Sequence, residues 1–366
     1  MRVLFFGTYD AETITRVRVL HEGLAALGDD VTECNVPLGL DTASRVRILQ
    51  RPWLLPVLAF RLASAWARLL ARSRRVGPVE AVVVGYLGHF DVHLARALWR
   101  RTPIVLDHLV SGADTALDRR SRSGVLQRAL RALDRSALGA ADIACVDTEE
   151  HLELVPPGLR AKAVVVQVGA PERWFHEPPE APSAGPLRVV FYGSYTPLHG
   201  AQVIGEAIGL LAREEPTVRF TMIGRGQDYE RTRAAAGGSA TVTWIDWIAP
   251  AELPAVVSEH DVCLGIFGTT PKAARVVPMK VFGGAAAGCV VVTSDTRPQR
   301  RALGEAGTFV PPGDAAALAE ALRRLAADPA GTHERRRAVY RRAVEDFRPE
   351  ASVRELRRRL LALAQA

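Results

Sequence analysis

The sequence predicts an α/β protein built from two Rossmann-like, doubly wound parallel-sheet domains that face each other across a cleft. Short β-branched runs alternate with long helical patterns rich in Ala, Leu and Arg, which is typical of parallel sheets with helices on both faces. The alternation occurs twice, with a proline-rich segment between the two occurrences. With 366 residues and 48% hydrophobic residues, the chain is long enough for two buried cores, and this excludes intrinsic disorder as its main state.

Six apolar runs predict the strands of the first sheet. They occupy residues 2–6, 30–36, 81–85, 104–107, 143–147 and 164–168. The first run follows the initiator Met directly and contains no small-residue cleavage site, so we expect a buried strand there and not a signal peptide.

The pattern breaks at residues 176–186, which read HEPPEAPSAGP. Four prolines and a glycine among small polar residues are incompatible with a helix or a central strand. This segment therefore predicts an interdomain linker. We expect a first domain over residues 1–178, a second over 187–345, and a C-terminal helix over 346–366 that packs back on the first domain.

Six further runs predict the second sheet. They occupy residues 188–192, 219–223, 242–245, 262–267, 290–294 and 308–310. Helical patterns again lie between the runs, so the second domain repeats the architecture of the first. Ligands of such sheets bind at the carboxyl ends of the strands, where loops and helix N-termini present unpaired N–H groups.

The basic charge of the chain is concentrated in one stretch. The formal net charge is +7, and residues 45–75 contain eight arginines and no acidic residue. No zinc-finger spacing, aromatic RNA-binding pattern or basic tail accompanies the arginines, so we expect no nucleic-acid partner. Interleaved apolar residues predict an amphipathic helix on an anionic membrane surface. The alternative is a solvated basic face whose apolar side packs on the core.

Cysteine usage and hydropathy bound the location of the protein. The four cysteines stand far apart, with neither a C-x-x-C pair nor a histidine at ligand spacing, which favours a reduced compartment and gives no metal site. The longest uncharged apolar run in the basic stretch is far shorter than the ~20 residues that a spanning helix needs. We expect a cytoplasmic protein, with peripheral association at the inner face of the membrane as the alternative.

Three loops at predicted strand ends are candidates for ligand binding. The first, residues 7–10 (GTYD), lacks a G-x-G-x-x-G pattern, which disfavours a dinucleotide site. The second, residues 193–200 (GSYTPLHG), enters a helix predicted to run to about Arg213, and its amides and His199 could meet a phosphate. An ordinary strand-to-helix loop is the alternative. The third, residues 224–226, exposes backbone at two glycines and holds one arginine, and it is a weak signal alone.

A fourth segment, residues 272–288, gives the strongest signal. It reads KAARVVPMKVFGGAAAG, and Pro278 suits the first turn of a helix. Three of the 47 basic residues of the chain are lysines, and two of them, Lys272 and Lys280, lie in this segment with Arg275. A helix start beside three cations predicts an anion site, with chance clustering of the lysines as the alternative.

The sequence resembles family 4 glycosyltransferases, which are retaining enzymes with the GT-B fold. In the second half, the segments FYGSYTPLHG, FTMIGRGQDYE, WIDWIAPAELPAVVSEHDVCLGIFG, KAARVVPMKVFGGAAAG and GTFVPPGDAAALAEAL carry the resemblance. In the first half, DHLVSGADTALDRR and DRSALGAADIACVDTEEH are similar to a bacterial branch of the family. The resemblance implies that the second domain binds a nucleoside diphosphate sugar and that the first domain binds most of the acceptor.

The donor-binding residues implied by the resemblance share a position at the carboxyl end of the second sheet. They are Gly193, Ser194, His199, Gly200, Gly224, Arg225, Gly226, Lys272, Arg275, Pro278, Lys280 and Gly283. The family places an arginine and a lysine in the diphosphate loop, and this chain has Ser194 and His199 instead. Arg225, Arg275 or Lys280 would then supply the cationic charge.

The glutamate pair that the family spaces by seven residues is also missing. Arg275 stands at the first position, and Gly283 stands at the second, where the resemblance implies a contact to the ribose hydroxyls. We therefore expect the substitution Gly283→Glu to tighten donor binding.

The mechanism implied for retaining members requires little beyond stabilisation of the leaving diphosphate. In front-face attack, the departing phosphate oxygen accepts the proton of the incoming hydroxyl, and no covalent nucleophile or metal takes part. We expect Lys280, Arg275 and Arg225 to be the catalytic cations. No cofactor is expected, because the nucleoside diphosphate sugar is a substrate.

Polar residues at strand ends of the first domain are candidates for acceptor contacts. His89 and Asp91 follow the third predicted strand, and Asp107 ends the fourth. Roles in loops or helix caps are the alternative for each. The acceptor could be a cell-envelope glycan, a lipid-linked intermediate or a natural product, and the residues do not distinguish these classes.

Two other functional classes remain open. The glycine at position 283 favours a non-catalytic homologue that acts as a partner or regulator. A sugar-nucleotide epimerase with the same fold is disfavoured, because no set of carboxylates stands out for proton abstraction.

Overall fold

The computed structural model describes residues 1–10, 15–39, 55–109, 111, 112, 114, 124–212 and 217–364. Two six-stranded sheets organise these residues, and every strand pair that forms them is parallel. The predicted class, two doubly wound α/β domains, is confirmed.

The first sheet has the strand order β2-β1-β3-β4-β5-β6. Its strands are β1 (Arg2–Gly7), β2 (Asp30–Asn35), β3 (Ala81–Val84), β4 (Ile104–Asp107), β5 (Ile143–Val146) and β6 (Ala163–Val165). The helices described around it are α1 (Thr15–Ala26), α2 (Leu55–Ser73), α3 (Asp91–Leu98), α4 (Gly124–Ala140) and α5 (Glu149–Leu154). Two 3₁₀ turns, Pro157–Lys162 and Glu172–Trp174, lead to the linker.

The second sheet has the strand order β12-β11-β10-β7-β8-β9. Its strands are β7 (Leu187–Tyr192), β8 (Val218–Ile223), β9 (Val242–Ile245), β10 (Val262–Leu264), β11 (Val290–Ser294) and β12 (Thr308–Val310). The helices described around it are α6 (Ala201–Leu211), α7 (Tyr229–Ala235), α8 (Leu253–Ser258), α9 (Met279–Ala286), α10 (Arg297–Leu303), α11 (Ala315–Ala327) and α12 (Pro329–Asp346). The last helix of the chain is α13 (Pro349–Ala364).

All twelve predicted strands are present, and two of them end three residues earlier than predicted, while three others (β2, β3 and β5) end one residue earlier. β6 ends at Val165 and β10 ends at Leu264. After β10 the chain leaves the sheet, because the Phe267 N–H donates to the His199 carbonyl at 2.9 Å. The predicted helix after residue 200 ends at Leu211, and Arg213 lies outside the described residues.

The strands β1, β3, β4 and β5 of the first sheet bury residues on both of their faces. In β1, Val3 and Phe5 pack with α1, while Leu4 and Phe6 pack with α2 and α3. All four side chains have no exposed surface. This explains why the strand is a continuous apolar run and not an alternating one, as expected of a parallel sheet covered by helices on both faces.

The order of the second sheet reverses between β7 and β10. β7 pairs with β8 on one side and with β10 on the other, and the connections after them run in opposite directions along the sheet. A crevice forms outside the carboxyl ends of the strands at such a reversal, and ligands of open α/β sheets bind there. The loops that follow β7 and β10 therefore border the expected ligand site.

The chain returns to the first domain at its C-terminal end. Residues 176–186 contain no helix or strand, as predicted for the linker. Val353, Leu356 and Leu360 of α13 are buried in the same cluster as the apolar face of α1. A Cβ atom on Gly23 of α1 would lie 2.3 Å from the Pro349 carbonyl oxygen, so the two helices are in close contact.

Helix α2 covers the second part of the basic stretch, and residues 45–54 lie outside the described residues. Ala65 and Leu69 are buried in the first-domain core, as the alternative to the membrane interpretation expects. In the first half of the helix, by contrast, Val57 is 50% exposed and Phe60 is 75% exposed. Among the described helices, none is long and apolar enough to cross a membrane.

Candidate active site

A cleft of about 520 Å³ lies between the domains at the reversal point of the second sheet. Gly193 follows β7 with a φ of 154°, and a 3₁₀ turn over Pro197–His199 leads into α6. The first domain contributes Thr15, Tyr86 and Asp147 to the opposite side of the cleft. The loop predicted at residues 193–200 therefore forms one wall of an interdomain cavity.

Two cationic side chains surround Gly193. Lys280, in the first turn of α9, is 4% exposed, and its Nζ lies 3.9 Å from the centre of the Phe191 ring. His199 is 9% exposed. Neither Lys280 Nζ nor His199 Nδ1 has a hydrogen-bond partner within the described parts of the chain. The wall thus holds two buried basic side chains whose nitrogens Lys280 Nζ and His199 Nδ1 have no hydrogen-bond partner among the described residues.

Burial sets the protonation of both groups. Burial lowers the pKa of Lys280 to about 7. Burial, and to a lesser extent the neighbouring Lys280, lowers the pKa of His199 well below its usual value. A bound anion would favour the charged form of each group and raise both pKa values again. The wall is therefore suited to a negatively charged ligand.

Gly193 allows close approach of the backbone to these cations. A Cβ atom there would lie 2.8 Å from Lys280 Nζ and 3.0 Å from His199 Cε1. Any side chain at this position would crowd Lys280 and His199. Without one, a phosphate could approach the backbone at Gly193 and come within reach of both side chains.

The turn at residues 224–226 supports the Gly193 loop. A Cβ on Gly224 would lie 2.1 Å from the Gly193 carbonyl oxygen, and a Cβ on Gly226 would lie 1.7 Å from that of Ser194. Both glycines are therefore needed for packing against the loop. Ser194 lines the cleft, and Gly224 to Gly226 do not.

Arg225 lies away from the buried cations. Its side chain is 55% exposed, its Nε lies 2.8 Å from Asp246 Oδ1, and its guanidinium carbon lies 4.6 Å from the centre of the Tyr229 ring. The hydrogen bond to Asp246 raises the pKa of Arg225 further. Arg225 does not line the cleft, so the structure does not bring it together with Lys280 and His199.

Gly283 lines the cleft one turn after Lys280, and the space beside it is filled. A Cβ at this position would lie 2.7 Å from Tyr192 Oη and 2.9 Å from the Trp174 ring. A glutamate at position 283 would have to displace these two rings, so the structure does not support the expectation that Gly283→Glu tightens donor binding.

Arg275 and Lys272 lie between this interdomain cleft and a second cavity. We call the first one the donor cleft, after the donor that the sequence resemblance implies. The Arg275 guanidinium pairs with Asp114 of the first domain and lines only the second cavity, whereas Lys272 lines both. Pro278 is the N-cap of α9 and lines the donor cleft. Arg275 thus connects the domains, and it is separate from the wall that holds Lys280.

The second cavity has a volume of about 820 Å³ and is lined mainly by the first domain. Arg131 and Arg135 from α4, His108 from the loop after β4 and His151 from α5 line it. Burial, and then the neighbouring His89, lowers the pKa of His108 to about 4, so this imidazole is neutral near pH 7. This cavity adjoins the donor cleft and is the candidate acceptor site.

Three of the residues near this cavity form a compact polar cluster. His89 Nε2 lies 3.0 Å from Asp134 Oδ1, and the His89 and His108 rings are 5.2 Å apart. Their potential ligand atoms lie within 4.8 Å of one another, a spacing that a metal ion could span. The Ser111 hydroxyl and the Gly112 N–H also donate to Asp134, and these hydrogen bonds account for the cluster without a metal. Together with His89, they lower the pKa of Asp134 to about 2.

Two predicted acceptor residues have structural partners instead. Asp107 is fully buried and accepts from Arg16 Nε at 3.1 Å. Asp91 accepts from the Thr8 N–H and hydroxyl and from Trp66 Nε1, each at 2.8 Å. Neither carboxylate lines the described cavities, because each one holds helices and loops of the first domain together.

A histidine and aspartate pair that the sequence analysis missed lies between the two cavities. His151 Nδ1 is hydrogen-bonded to Asp147, and the side chains are 10% and 5% exposed. His151 lines the second cavity and Asp147 lines the donor cleft. Asp147 directly follows β5, and His108 directly follows β4, so the strand-end rule could have found both. No sequence signal pointed to Trp174.

Polar contacts hold the domains together beside this pair. The Thr148 hydroxyl donates to the Arg275 carbonyl at 2.7 Å. Arg301 donates two hydrogen bonds to Glu150, at 2.8 and 3.1 Å. These contacts between the domains keep the two cavities next to each other.

Two doubly wound domains with these strand orders, facing each other across a ligand cleft, have the GT-B fold. Residues 186–328, most of the second domain, match the family model described as Glycosyl transferases group 1. A glycogen synthase of Mycobacterium tuberculosis is 27% identical over 234 residues, which are 62% of this chain and 55% of that protein. The chain thus spans little more than half the length of this relative.

Solved structures resemble almost the whole chain. Sucrose-phosphate synthase from Thermosynechococcus elongatus has a TM-score of 0.69 at 18% identity, covering 98% of both chains. Anabaena HepE in complex with UDP-glucose has a TM-score of 0.69 at 14% identity, covering 99% of this chain and 100% of that one. A trehalose-phosphate synthase from Burkholderia vietnamiensis has a TM-score of 0.67 at 14% identity, covering 99% and 97%. These similarities establish the fold, and the sequence match to glycosyl transferases group 1 covers residues 186–328.

Proposed function

We propose that the protein is a retaining glycosyltransferase that moves a sugar from a nucleoside diphosphate sugar to a hydroxyl acceptor. The observation that carries this proposal is the pair of buried basic side chains, Lys280 and His199, on either side of Gly193. They lie at the reversal point of the second sheet, where α/β folds bind their ligands, and neither Lys280 Nζ nor His199 Nδ1 has a hydrogen-bond partner among the described residues. A diphosphate matches this wall in charge and position.

The proposed chemistry is stabilisation of the leaving group. As the bond between the sugar and the diphosphate breaks, negative charge grows on the phosphate oxygen. Lys280 Nζ and the N-terminal amides of α9 are fixed beside that position, and burial strengthens their interaction with the charge. In front-face attack the departing oxygen accepts the proton of the acceptor hydroxyl, so no side chain has to act as a base.

The acceptor is proposed to enter the cavity on the first-domain side. His151 lines this cavity and its partner Asp147 lines the donor cleft, so the pair marks the place where the acceptor hydroxyl must meet the sugar. Lys272 borders both spaces. A carbohydrate, a lipid-linked intermediate and a natural product all offer the hydroxyl that this arrangement requires.

The test combines binding with turnover. The full chain is titrated calorimetrically with UDP-, GDP- and dTDP-sugars, and a donor that binds is then incubated with pools of acceptors of the three classes. We expect one donor base to bind and a product to form with the anomeric configuration retained. Failure of all three nucleotide sugars to bind would contradict the proposal.

The filled space beside Gly283 favours a second candidate, a GT-B homologue with weak or no activity that serves as a partner or regulator. Such a protein lacks the glutamate pair and has no room to regain it at this position. The two candidates differ in one observable. Donor binding without transfer to any acceptor, and without hydrolysis, would support the regulator.

Peripheral membrane association is a further proposal, supported by helix α2. Its exposed Phe60 and Val57 share the helix with Arg61 and Arg68. Flotation with anionic vesicles tests it. Wild-type protein should float, while a variant with Val57→Ser and Phe60→Ser should stay in the soluble fraction. Equal partition of the two proteins would contradict membrane contact through α2.

A further inference from the structure

The space that a side chain at position 283 would take is occupied by residues from two other elements. Trp174 comes from the 3₁₀ turn before the linker, and Tyr192 is the last residue of β7. Their rings are stacked, with centres 5.6 Å apart and an angle of 26° between the planes. Both residues line the donor cleft together with Gly283. An aromatic surface therefore replaces a side chain of α9 in this wall.

The polar atoms of this aromatic pair have no partners. Trp174 is 4% exposed, and neither its Nε1 nor Tyr192 Oη makes a hydrogen bond within the parts of the chain that the structure describes. Burial raises the pKa of Tyr192, so the phenol keeps its proton and can donate. A buried donor without an acceptor costs about 1–3 kcal/mol. Two such donors side by side indicate that a ligand supplies the acceptors.

The position of the pair identifies the chemistry of that ligand. The same cleft wall carries Lys280 Nζ and His199 Nδ1, which also lack partners. The wall therefore presents the Lys280 amine and the His199 imidazole together with two neutral donors on aromatic rings. Cations suit phosphate oxygens, whereas an aromatic face with an N–H and an O–H suits a ring that carries hydroxyl groups. A nucleoside diphosphate sugar has such a ring on each side of its diphosphate.

We infer that Trp174 and Tyr192 bind a hydroxylated ring of the donor next to the diphosphate, and that Gly283 is a glycine because this pair needs its space. The inference rests on the proposed function and deepens it. The ring is either the ribose of the nucleotide or the sugar to be transferred, and both sources share the same chemistry. The donor ring is then recognised by neutral hydrogen bonds and by an aromatic ring face. In the family that the sequence resembles, a glutamate at position 283 would make this contact.

The test removes each donor atom and keeps the ring. Trp174 packs in a buried cluster with Val277, Val281 and Phe282, so smaller substitutions would create a cavity. Trp174→Phe and Tyr192→Phe retain most of the packing and delete the N–H or the O–H. The matched controls are Trp244→Phe and Tyr195→Phe in the second-domain core. Tyr195 Oη is also buried without a described partner, yet neither control residue lines the cleft.

Affinities are measured by calorimetry for UDP, GDP and dTDP, for their glucose conjugates, and for inorganic pyrophosphate. Each cleft variant should bind the preferred nucleotide roughly three- to tenfold more weakly, the loss expected for one neutral hydrogen bond. Pyrophosphate affinity should not change, because the cations are untouched. Equal losses for the nucleotide and its conjugate assign the ring to the ribose. A larger loss for the conjugate assigns it to the transferred sugar.

Two results would overturn the inference. The cleft variants could bind nucleotides as tightly as the wild type and the controls, which would show that the pair only packs. They could also lose pyrophosphate affinity in the same proportion, which would indicate a general distortion of the wall. Failure of the wild type to bind any nucleotide is a separate outcome that also contradicts the proposed function.

Discussion

The two sides of the interdomain space differ in how their charged groups are paired. On the second-domain side, Lys280 and His199 are buried without hydrogen-bond partners among the described residues. On the first-domain side, each carboxylate that lines a cavity has a partner. Asp114 pairs with Arg275, Asp134 accepts from Ser111 and Gly112, and Asp147 bonds to His151.

This difference shows on which side a charged ligand would gain the most binding free energy. The partner of a paired carboxylate offsets the free-energy cost of burying its charge. The cost of burying an unpaired ammonium is offset only when an anion binds to it. The second-domain side therefore favours an anionic ligand, which the proposed diphosphate would supply. On the first-domain side the carboxylates Asp114, Asp134 and Asp147 already have partners, so a charged ligand would gain less from them.

The largest effect is expected from Lys280→Met, which removes the unpaired ammonium and keeps a side chain of similar length. Loss of a charge-assisted contact in a buried site should weaken nucleoside diphosphate binding roughly 30-fold or more. Lys162→Met is the matched control, since Lys162 donates to the Gly139 and Ala141 carbonyls of the first domain, outside both cavities. Calorimetry should show normal affinity for the control, and a comparable loss in both variants would argue against a special role of Lys280.

The next effect is a pH dependence with a defined sign. Burial lowers the pKa of Lys280 to about 7, and a bound diphosphate should raise it. Above pH 7 the free protein must therefore take up a proton to bind, so affinity should fall by roughly tenfold between pH 6.5 and 8.5. Titration in buffers of different ionisation enthalpy measures this uptake directly. A flat pH profile for the wild type would contradict the unpaired state of Lys280, while Lys280→Met, which keeps only His199, should show a clearly smaller dependence.

A stability effect distinguishes Gly283 from glycines elsewhere. A Cβ at 283 would lie 2.7 Å from Tyr192 Oη, so Gly283→Ala should destabilise the protein by about 1–3 kcal/mol through overpacking. Gly139 lies in α4 with no atom within 4 Å of its Cβ position, and Gly139→Ala should stabilise by up to about 1 kcal/mol. Urea unfolding measures both. If Gly283→Ala left the stability unchanged, the rings of Trp174 and Tyr192 would have to move aside at little energetic cost.

The smallest effect is expected from Arg225→Ala. Arg225 is 55% exposed, is paired with Asp246 and does not line the cleft. Nucleotide affinity should change by less than roughly threefold, as expected for a surface ion pair. A loss of nucleotide affinity as large as that of Lys280→Met would indicate that Arg225 contacts the diphosphate. It would also weaken the contrast between the two sides.

The backbone architecture was accessible from the sequence because it depends on local patterns. Continuous apolar runs such as residues 2–6 predict buried parallel strands, and HEPPEAPSAGP predicts the linker, since proline excludes helix and central strand. The Gly193 loop and Lys280 were also found, because strand ends and a helix start mark them. Their lack of partners was not predictable, since it depends on what the rest of the chain places around them.

The errors arose where distant segments supply the neighbours. Asp107 ends a strand, yet its carboxylate forms an ion pair with Arg16 from α1. Arg275 stands in the donor motif, yet it pairs with Asp114 across the domains. Gly283 suggested an empty place for a glutamate, and Trp174 fills it from a turn more than 100 residues earlier. In each case the competing partner comes from outside the local sequence.

The most direct test of the contrast between the two sides is a crystal structure of the full chain with the nucleoside diphosphate that binds most tightly. The phosphates should lie beside Gly193, within hydrogen-bond distance of Lys280 Nζ and the His199 ring, with a ring of the ligand against Trp174. Phosphates bound instead in the first-domain cavity, beside Arg131 and Arg135, would contradict the account.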